Sequence, residues 1–169
     1  MIPVIETERL ILRGPEMRDF EPHAEFYTTA RSSALGGPCP RHDAWTKFVA
    51  AAGQWLLRGY GYWTLEEKAT GRVLGRVGVN HPEYGLEPEL AWTLFTGAEG
   101  QGFANEAALA ARDHAGRVMG LGPLMSTIRA DNARSLVLAA RLGARFESDW
   151  ASPWGPLGIW RHPAVGGAA

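Results

Sequence analysis

Residues 99–106 read E-G-Q-G-F-A-N-E, and from Ala104 onward small apolar residues recur at helical spacing: Ala107, Ala108, Ala111, Ala115 and Val118. No other segment restricts the fold as strongly. Upstream, Glu89 to Phe95 reads as a strand placed after the breakers Pro82 and Pro88, so the glycines join a strand to a long helical segment opening at Gly100. A stripe of alanines lets such a helix lie close against a sheet. Gly100 and Gly102 remove side chains where backbone must approach a ligand closely, and the first-turn N–H groups, with their partial positive charge, then face an anion such as a pyrophosphate. A strand-to-helix turn with no ligand can carry the same glycines, so spacing alone does not decide. The dinucleotide fingerprint G-x-G-x-x-G is not matched, because Asn105 stands three residues after Gly102, and there is no glycine-lysine-serine nucleotide loop. Nicotinamide and nucleoside-triphosphate readings fall away.

The remaining elements are placed around this unit. Thr7 to Arg13 reads as a first strand ended by Gly14 and Pro15, and Asp19 to Thr29 as a helix. A second helix carries Trp45, Phe48, Val49, Ala52 and Leu56 on one face. The link between the helices, with Gly36, Gly37, Pro38 and Pro40, suits the lip of a binding site. Tyr62 to Glu66 and Val73 to Val79 read as strands joined by a turn at Ala69-Thr70-Gly71. Leu124 to Ile128 reads as a strand, Ala133 to Leu142 as a helix, and the stretches around Arg145 to Trp150 and Leu157 to Arg161 as final strands. The class expected is α/β, with one mixed, largely antiparallel central sheet flanked by helices. A single domain over 1–165 and a disordered tail over 166–169 are expected.

Composition narrows the partners. With 169 residues, 17 basic against 18 acidic side chains and a net charge of −1, no overall field gathers nucleic acid or an anionic membrane. The start, Met1 to Arg13, contains Glu6 and Glu8 and no long apolar run, which predicts neither a secretory signal nor an anchor. A single cysteine, Cys39, excludes an internal disulfide and fits a reducing, cytoplasmic compartment. The five histidines lack ligand-like spacing, so no metal is expected.

Three segments, in order, give the chain its likeness. T-E-R-L-I-L-R at 7–13, G-Q-G-F-A-N-E-A at 100–107 and D-N-A-R-S-L-V-L-A-A-R-L-G-A at 131–144 together resemble the GNAT acyltransferase superfamily, in the branch similar to ribosomal-protein N-terminal acetyltransferases. The resemblance covers nearly the whole chain. It implies an acyl-CoA N-acyltransferase domain with acetyl-coenzyme A as cosubstrate. It further implies that the backbone N–H groups of Gly100, Gln101, Gly102, Phe103 and Ala104 hold the pyrophosphate. The strand containing Trp92, Thr93 and Leu94 would pair with the pantetheine arm, and Asn132 would hydrogen-bond that arm near its sulfur. Two departures stand out: Glu99 replaces the usual arginine or glutamine, and Ala144 the usual phenylalanine.

An amine that attacks a thioester must be neutral, and an alkyl ammonium with a pKa near 10 is only about one part in a thousand free base at pH 7, a handicap of roughly 4 kcal/mol. Glu89, in P-E-L-A-W-T-L, is the candidate base, acting through water as the family often arranges; a plain strand glutamate is the alternative. His81 is a second candidate. The tyrosine that many relatives use to protonate the departing thiolate is matched here by Ala139, which leaves Ser135, three residues after Asn132 and on the same helical face, as the hydroxyl. Cys39 lacks an evident histidine and acid partner and reads as a loop cysteine. Of seven tryptophans, Trp150, Trp154 and Trp160 cluster near the end; Trp154, in a turn, lines the acceptor pocket or contacts another subunit of a homodimer. The acceptor expected is a small-molecule amine or a peptide N-terminus. The alternative of a different class is a coenzyme A-binding module without turnover.

Overall fold

Eight strands form one sheet in the order β1-β2-β3-β4-β5-β6-β8-β7. In chain order the elements are β1 (Ile5–Glu6), β2 (Leu10–Arg13), α1 (Phe20–Tyr27), α2 (Arg41–Arg58), β3 (Tyr62–Glu67), β4 (Val73–Asn80), β5 (Glu89–Leu94), α3 (Phe103–Arg117), β6 (Met125–Ile128), α4 (Ala133–Arg141), β7 (Arg145–Ser152) and β8 (Gly155–Arg161). The computed structural model describes residues 1–83 and 85–165, so the tail expected over 166–169 lies outside the described residues. All neighbouring strands are antiparallel except β5 and β6, which gives the mixed, largely antiparallel sheet anticipated from the sequence.

Each helix is held by the residues that face the sheet. Ala107, Ala108, Ala111 and Ala115 of α3 are fully buried against Leu10, Leu12, Trp63, Leu65, Val77, Val79 and Leu90. With methyl groups at the contact the helix approaches closely, and the larger side chains of the strands fill the layer. A second cluster of Phe20, Ala24, Phe26, Tyr27, Ala44 and Phe95 joins α1 and α2 to the sheet. Arg13 fastens this side: its guanidinium donates to both oxygens of Asp19, at 2.9 and 2.8 Å, and to Glu66 at 2.8 Å, while Thr64 donates to Asp19 at 2.9 Å.

Three expectations shift in detail. Thr7 to Arg9 do not belong to the first strand; the Thr7 amide donates to the Leu10 carbonyl at 3.0 Å and its hydroxyl accepts from the Leu10 amide at 3.1 Å, forming a turn between β1 and β2. In α2 the buried face is rotated from the predicted one: Phe48 packs against the α1–α2 cluster as expected, but Leu56 is 88% exposed, whereas Ala44 and Trp55 are buried. Trp55 packs in the main core edge-on to Trp63, at 4.8 Å, and its indole donates to the Tyr62 carbonyl at 2.7 Å. Val118, placed on the α3 stripe, lies just past the helix end and is exposed.

Two buried histidines make the fold sensitive to acid. His23 Nε2 donates to the Ala44 carbonyl at 3.2 Å, and burial, reinforced by Arg76 and Lys47, pushes its pKa down to about 4. His162, 1% exposed, is likewise pushed down to about 4 by burial, with Arg112 and Arg161 adding to the shift. Both are neutral when folded but charge below about pH 6.5 when unfolded, so the unfolded state binds more protons between pH 6.5 and 4 and stability falls as pH drops through that window. Denaturant titrations should therefore show a loss of about 2 kcal/mol for each histidine between pH 7 and pH 5. Unchanged stability across that range would contradict the buried, neutral state of both rings.

Candidate active site

The site begins where the sheet stops being continuous. The parallel pairing of β5 with β6 is confined to Glu89 opposite Met125, and beyond it the strands diverge. Such a fork frees backbone groups that need partners. Here side chains supply them. The Leu90 carbonyl accepts from Ser126 Oγ at 2.5 Å, and Ser126 in turn accepts from His162 Nε2 at 2.9 Å. The Thr127 amide and hydroxyl both donate to Glu89 Oε2, at 3.3 and 2.7 Å, and Asn80 Nδ2 donates to Glu89 Oε1 at 2.8 Å. Glu89 therefore closes the fork on one side by joining β4, β5 and β6.

Alternation along β5 places Glu89 and Thr93 on one face and Trp92 and Leu94 on the other. Trp92 reaches α4, where its indole donates to Ser135 Oγ at 3.2 Å. Asn132 is the N-cap of α4 and its side chain accepts from the Ser135 amide at 3.2 Å. The serine hydroxyl thus keeps its own proton available to donate. Glu89 and Ser135 do not meet; they lie on opposite faces of β5, on either side of the fork.

At the open end of the fork, Gly100 and Gly102 adopt φ of 76° and 82°, a region that favours glycine. At Gly100 a Cβ would meet nothing within 4 Å, so backbone conformation, not close packing, fixes this glycine. Gly102 is the N-cap of α3 and provides no side-chain cap, which leaves the N–H groups of the first turn, from Phe103 and Ala104 onward, directed outward. The loop is held from behind. Glu106, in the first turn, accepts from the Thr7 hydroxyl at 2.6 Å, the Arg9 amide at 2.8 Å and the Arg9 guanidinium at 2.7 Å. Burial opposes the charge on Glu106, but these donors outweigh it and hold its pKa below the usual carboxylate range. Arg9 also donates to the Gln101 carbonyl at 2.9 Å and lies over the Phe103 ring, 4.6 Å from its centroid.

Glu99, which stands where an arginine or glutamine is usual, is paired with cations. Arg31 pairs with it at 2.7 Å, Arg134 at 3.8 Å, and the Gly97 amide donates to it at 2.7 Å. Burial opposes ionisation, yet the Glu99 pKa lies below the usual range because these groups favour the anion. Arg31 also donates to the Leu94 carbonyl at 3.1 Å, on the outer rim of the fork. Sequence reasoning missed Arg31 and Arg134, whose positions depend on the packing of the loop before α2 and of α4 against the glycine turn.

The other candidates fall outside this cluster of contacts. His81 Nδ1 accepts from Arg58 at 3.3 Å and lies 3.1 Å from Tyr60 Oη, so that nitrogen is already engaged. Cys39 is a free, partly buried cysteine packed beside the α1–α2 aromatic cluster. Ala139, where relatives place a tyrosine, is fully buried with Ala144 and Ile128 beneath α4. Trp154 is 55% exposed and meets Trp150 edge-on at 6.3 Å. Among the described residues no group of three or more His, Cys, Asp or Glu could hold a metal, and no helix is long and apolar enough to cross a membrane.

An uncapped helix N-terminus and a glycine turn at the mouth of a forked, mixed sheet form a place where an anion can be held by backbone amides. The acetyltransferase (GNAT) domain model matches residues 9–145, and the chain belongs to the GNAT acetyltransferase family. An acetyltransferase from Agrobacterium tumefaciens strain C58 is 34% identical over 96% of this chain and 95% of its own, with a TM-score of 0.87. A GNAT-family acetyltransferase from Bordetella pertussis is 27% identical, with 95% of this chain and 99% of its own covered and a TM-score of 0.81. The fold is also that of RimL, a ribosomal L7/L12 α-N-protein acetyltransferase in complex with coenzyme A: 15% identity, 96% and 99% covered, TM-score 0.79. The protein is an acetyltransferase that uses acetyl-coenzyme A.

Gly102→Asp strains a backbone with φ of 82° and sets a carboxylate across the first-turn amides. In the unsubstituted protein, acetyl-coenzyme A at about 100 times its dissociation constant should stabilise the fold by roughly 2.7 kcal/mol, visible as a rise in melting temperature. The substitution should abolish that rise. A rise of unchanged size would place the pyrophosphate elsewhere.

Proposed function

We propose that the chain transfers the acetyl group directly from acetyl-coenzyme A to a primary amine of a small molecule or a peptide N-terminus, across the fork between β5 and β6. One observation carries this reading: the fork has a carboxylate, Glu89, on one face and a hydroxyl with a free proton, Ser135, on the other. Acetyl-coenzyme A supplies an activated acyl carbon and a thiolate leaving group. Gly100, Gln101, Gly102, Phe103 and Ala104 would bind its pyrophosphate through backbone N–H groups. The β5 edge at Trp92, Thr93 and Leu94 would align the pantetheine arm, and Asn132 would contact it near the sulfur.

Glu89 takes the ammonium proton of the acceptor, through an intervening water, and so produces the neutral amine required for attack. As the C–N bond forms and the C–S bond breaks, Ser135 Oγ donates a hydrogen bond to the departing sulfur, and the second proton that the nitrogen sheds as the amide forms ends on the coenzyme A thiolate. Trp92 fixes the serine for this purpose by occupying one of its lone pairs. The negative charge on Glu99, which would weaken phosphate binding, is offset by Arg31 and Arg134. The remaining catalytic gain comes from holding both reactants in register.

Glu89→Gln should lower turnover by about a hundredfold with cofactor affinity retained, and the deficit should shrink at high pH, where the amine loses its proton unaided. Ser135→Ala should lower turnover by a smaller factor, because a thiolate leaves fairly well without protonation. Both effects are read from steady-state thiol release across pH 6.5 to 10. A pH-independent deficit in Glu89→Gln would assign that residue to holding the fork alone.

A further inference from the structure

On the same face of β5 as Glu89, α1 and α2 roof a small open-mouthed recess with a cavity volume of about 30 Å³. Its walls include Phe48, Phe95 and Tyr62, and among the described residues that line it the charge without an ion pair is that of Arg76. The guanidinium lies over the Tyr62 ring, 4.5 Å from the centroid, and its sole hydrogen bond within the described residues is a long one, 3.3 Å, to the Tyr27 hydroxyl. Arg76 Nε is buried with no partner. No described carboxylate forms an ion pair with Arg76. Asp19 lines the same recess, but its two oxygens are already occupied by Arg13, Thr64 and the Glu16 amide.

The backbone is shaped to put Arg76 there. Leu65 pairs with Gly75 and Glu66 with Val73, so Leu74 is the extra residue of a β-bulge, a feature that re-aims the side chains that follow it. Gly75 has φ of 147°, and a Cβ on it would meet the Thr93 carbonyl oxygen at 2.1 Å, so the bulge depends on glycine. A partly buried cation with an orphaned donor and aromatic neighbours is a costly arrangement unless an anion completes it. Arginine is the residue best suited to take a carboxylate with two parallel hydrogen bonds.

We propose that the acetyl acceptor is an amine that also carries a carboxylate, and that Arg76 binds that carboxylate while the amine lies at Glu89. This rests on the acetyl-transfer reading above and names its substrate class. Arg76 is opposite Thr93 and Asn80 opposite Glu89, four residues apart on β4, which sets the two ends of the acceptor within about 13 Å of each other along the strand. Tyr62, opposite Gly78, stands midway and provides the apolar wall between them. The charged ends are therefore separated by several bonds.

Unbranched ω-amino carboxylates with two to six methylenes, each paired with its own carboxamide, test this by thiol release with acetyl-coenzyme A and by calorimetry with coenzyme A present. At least one carboxylate should exceed its carboxamide by about 10- to 100-fold in kcat/KM, the range of a charge-assisted hydrogen-bonded pair. Arg76→Gln should erase that preference while leaving carboxamide turnover within a few-fold, and Arg76→Lys should restore part of it. Equal use of carboxylates and carboxamides, or an equal loss for both in Arg76→Gln, overturns the proposal and leaves acetyl transfer standing. Carboxylate binding that is lost in Arg76→Gln, but with no product from any amine, supports the anion site and overturns the transfer reading instead.

Discussion

Everything functional in this protein depends on a sheet that is held open at one point. Continuous pairing of β5 with β6 would satisfy the backbone of both strands and leave no room for a ligand. The pairing instead stops at Glu89 and Met125. A fork in a buried sheet would be unstable if its freed groups were left without partners. Ser126 supplies a donor for the Leu90 carbonyl, and Glu89 an acceptor for the Thr127 amide. His162, buried and neutral, stands behind Ser126 and fixes its orientation. Glu89 thus has an architectural role before any chemistry is considered, because the hydrogen bonds from Asn80 and Thr127 join three strands at its carboxylate.

The glycine turn depends on a second set of contacts, this time between distant parts of the chain. Its amides are usable because nothing on the turn itself caps them, and they stay in place because Thr7 and Arg9 grip Glu106 one turn into α3. This accounts for T-E-R-L near the start of the chain and E-A-A-L in α3 as two halves of one device. The clamp also directs a guanidinium at the Gln101 carbonyl, so the loop is tied at its middle as well as at its base. Across the turn, Arg31 and Arg134 offset Glu99 and bring the loop before α2 and the start of α4 to the same rim. The arginines around the turn therefore come from three separate segments of the chain.

Much of this was legible in the sequence because it is local. The strand before the glycine turn, the alanine spacing of α3 as far as Ala115 and the helix that follows Asn132 each depend on residues within a few positions of one another, and the structure has these elements there. What could not be read depends on packing between remote elements. Thr7 to Arg9 looked like strand because threonine and apolar neighbours favour it, but the contact with Glu106, about a hundred positions away, turns them into a corner. In α2 the apolar residues exceed the width of one face, and the face that turns inward is the one that buries Trp55 against Trp63 and lets its indole reach the Tyr62 carbonyl. Arg76 gave no signal, since a basic residue in an alternating strand is ordinary until a bulge at Leu74 turns it beneath the helices.

The central claim is that β5 presents an unpaired edge beyond Glu89, which becomes paired when the cofactor binds. The Phe95 amide donates to the Leu74 carbonyl, so the amides of Ala91 and Thr93, in step with it, face β4, and those of Trp92 and Leu94 face the fork. Amide hydrogen exchange at these four positions, followed with and without saturating acetyl-coenzyme A, tests the claim directly. The account predicts slow exchange at Ala91 and Thr93 in both states, and faster exchange at Trp92 and Leu94 that slows when the cofactor is added. Protection of Trp92 and Leu94 equal to their neighbours before the cofactor is present, or exchange there that saturating cofactor leaves unchanged, would contradict it.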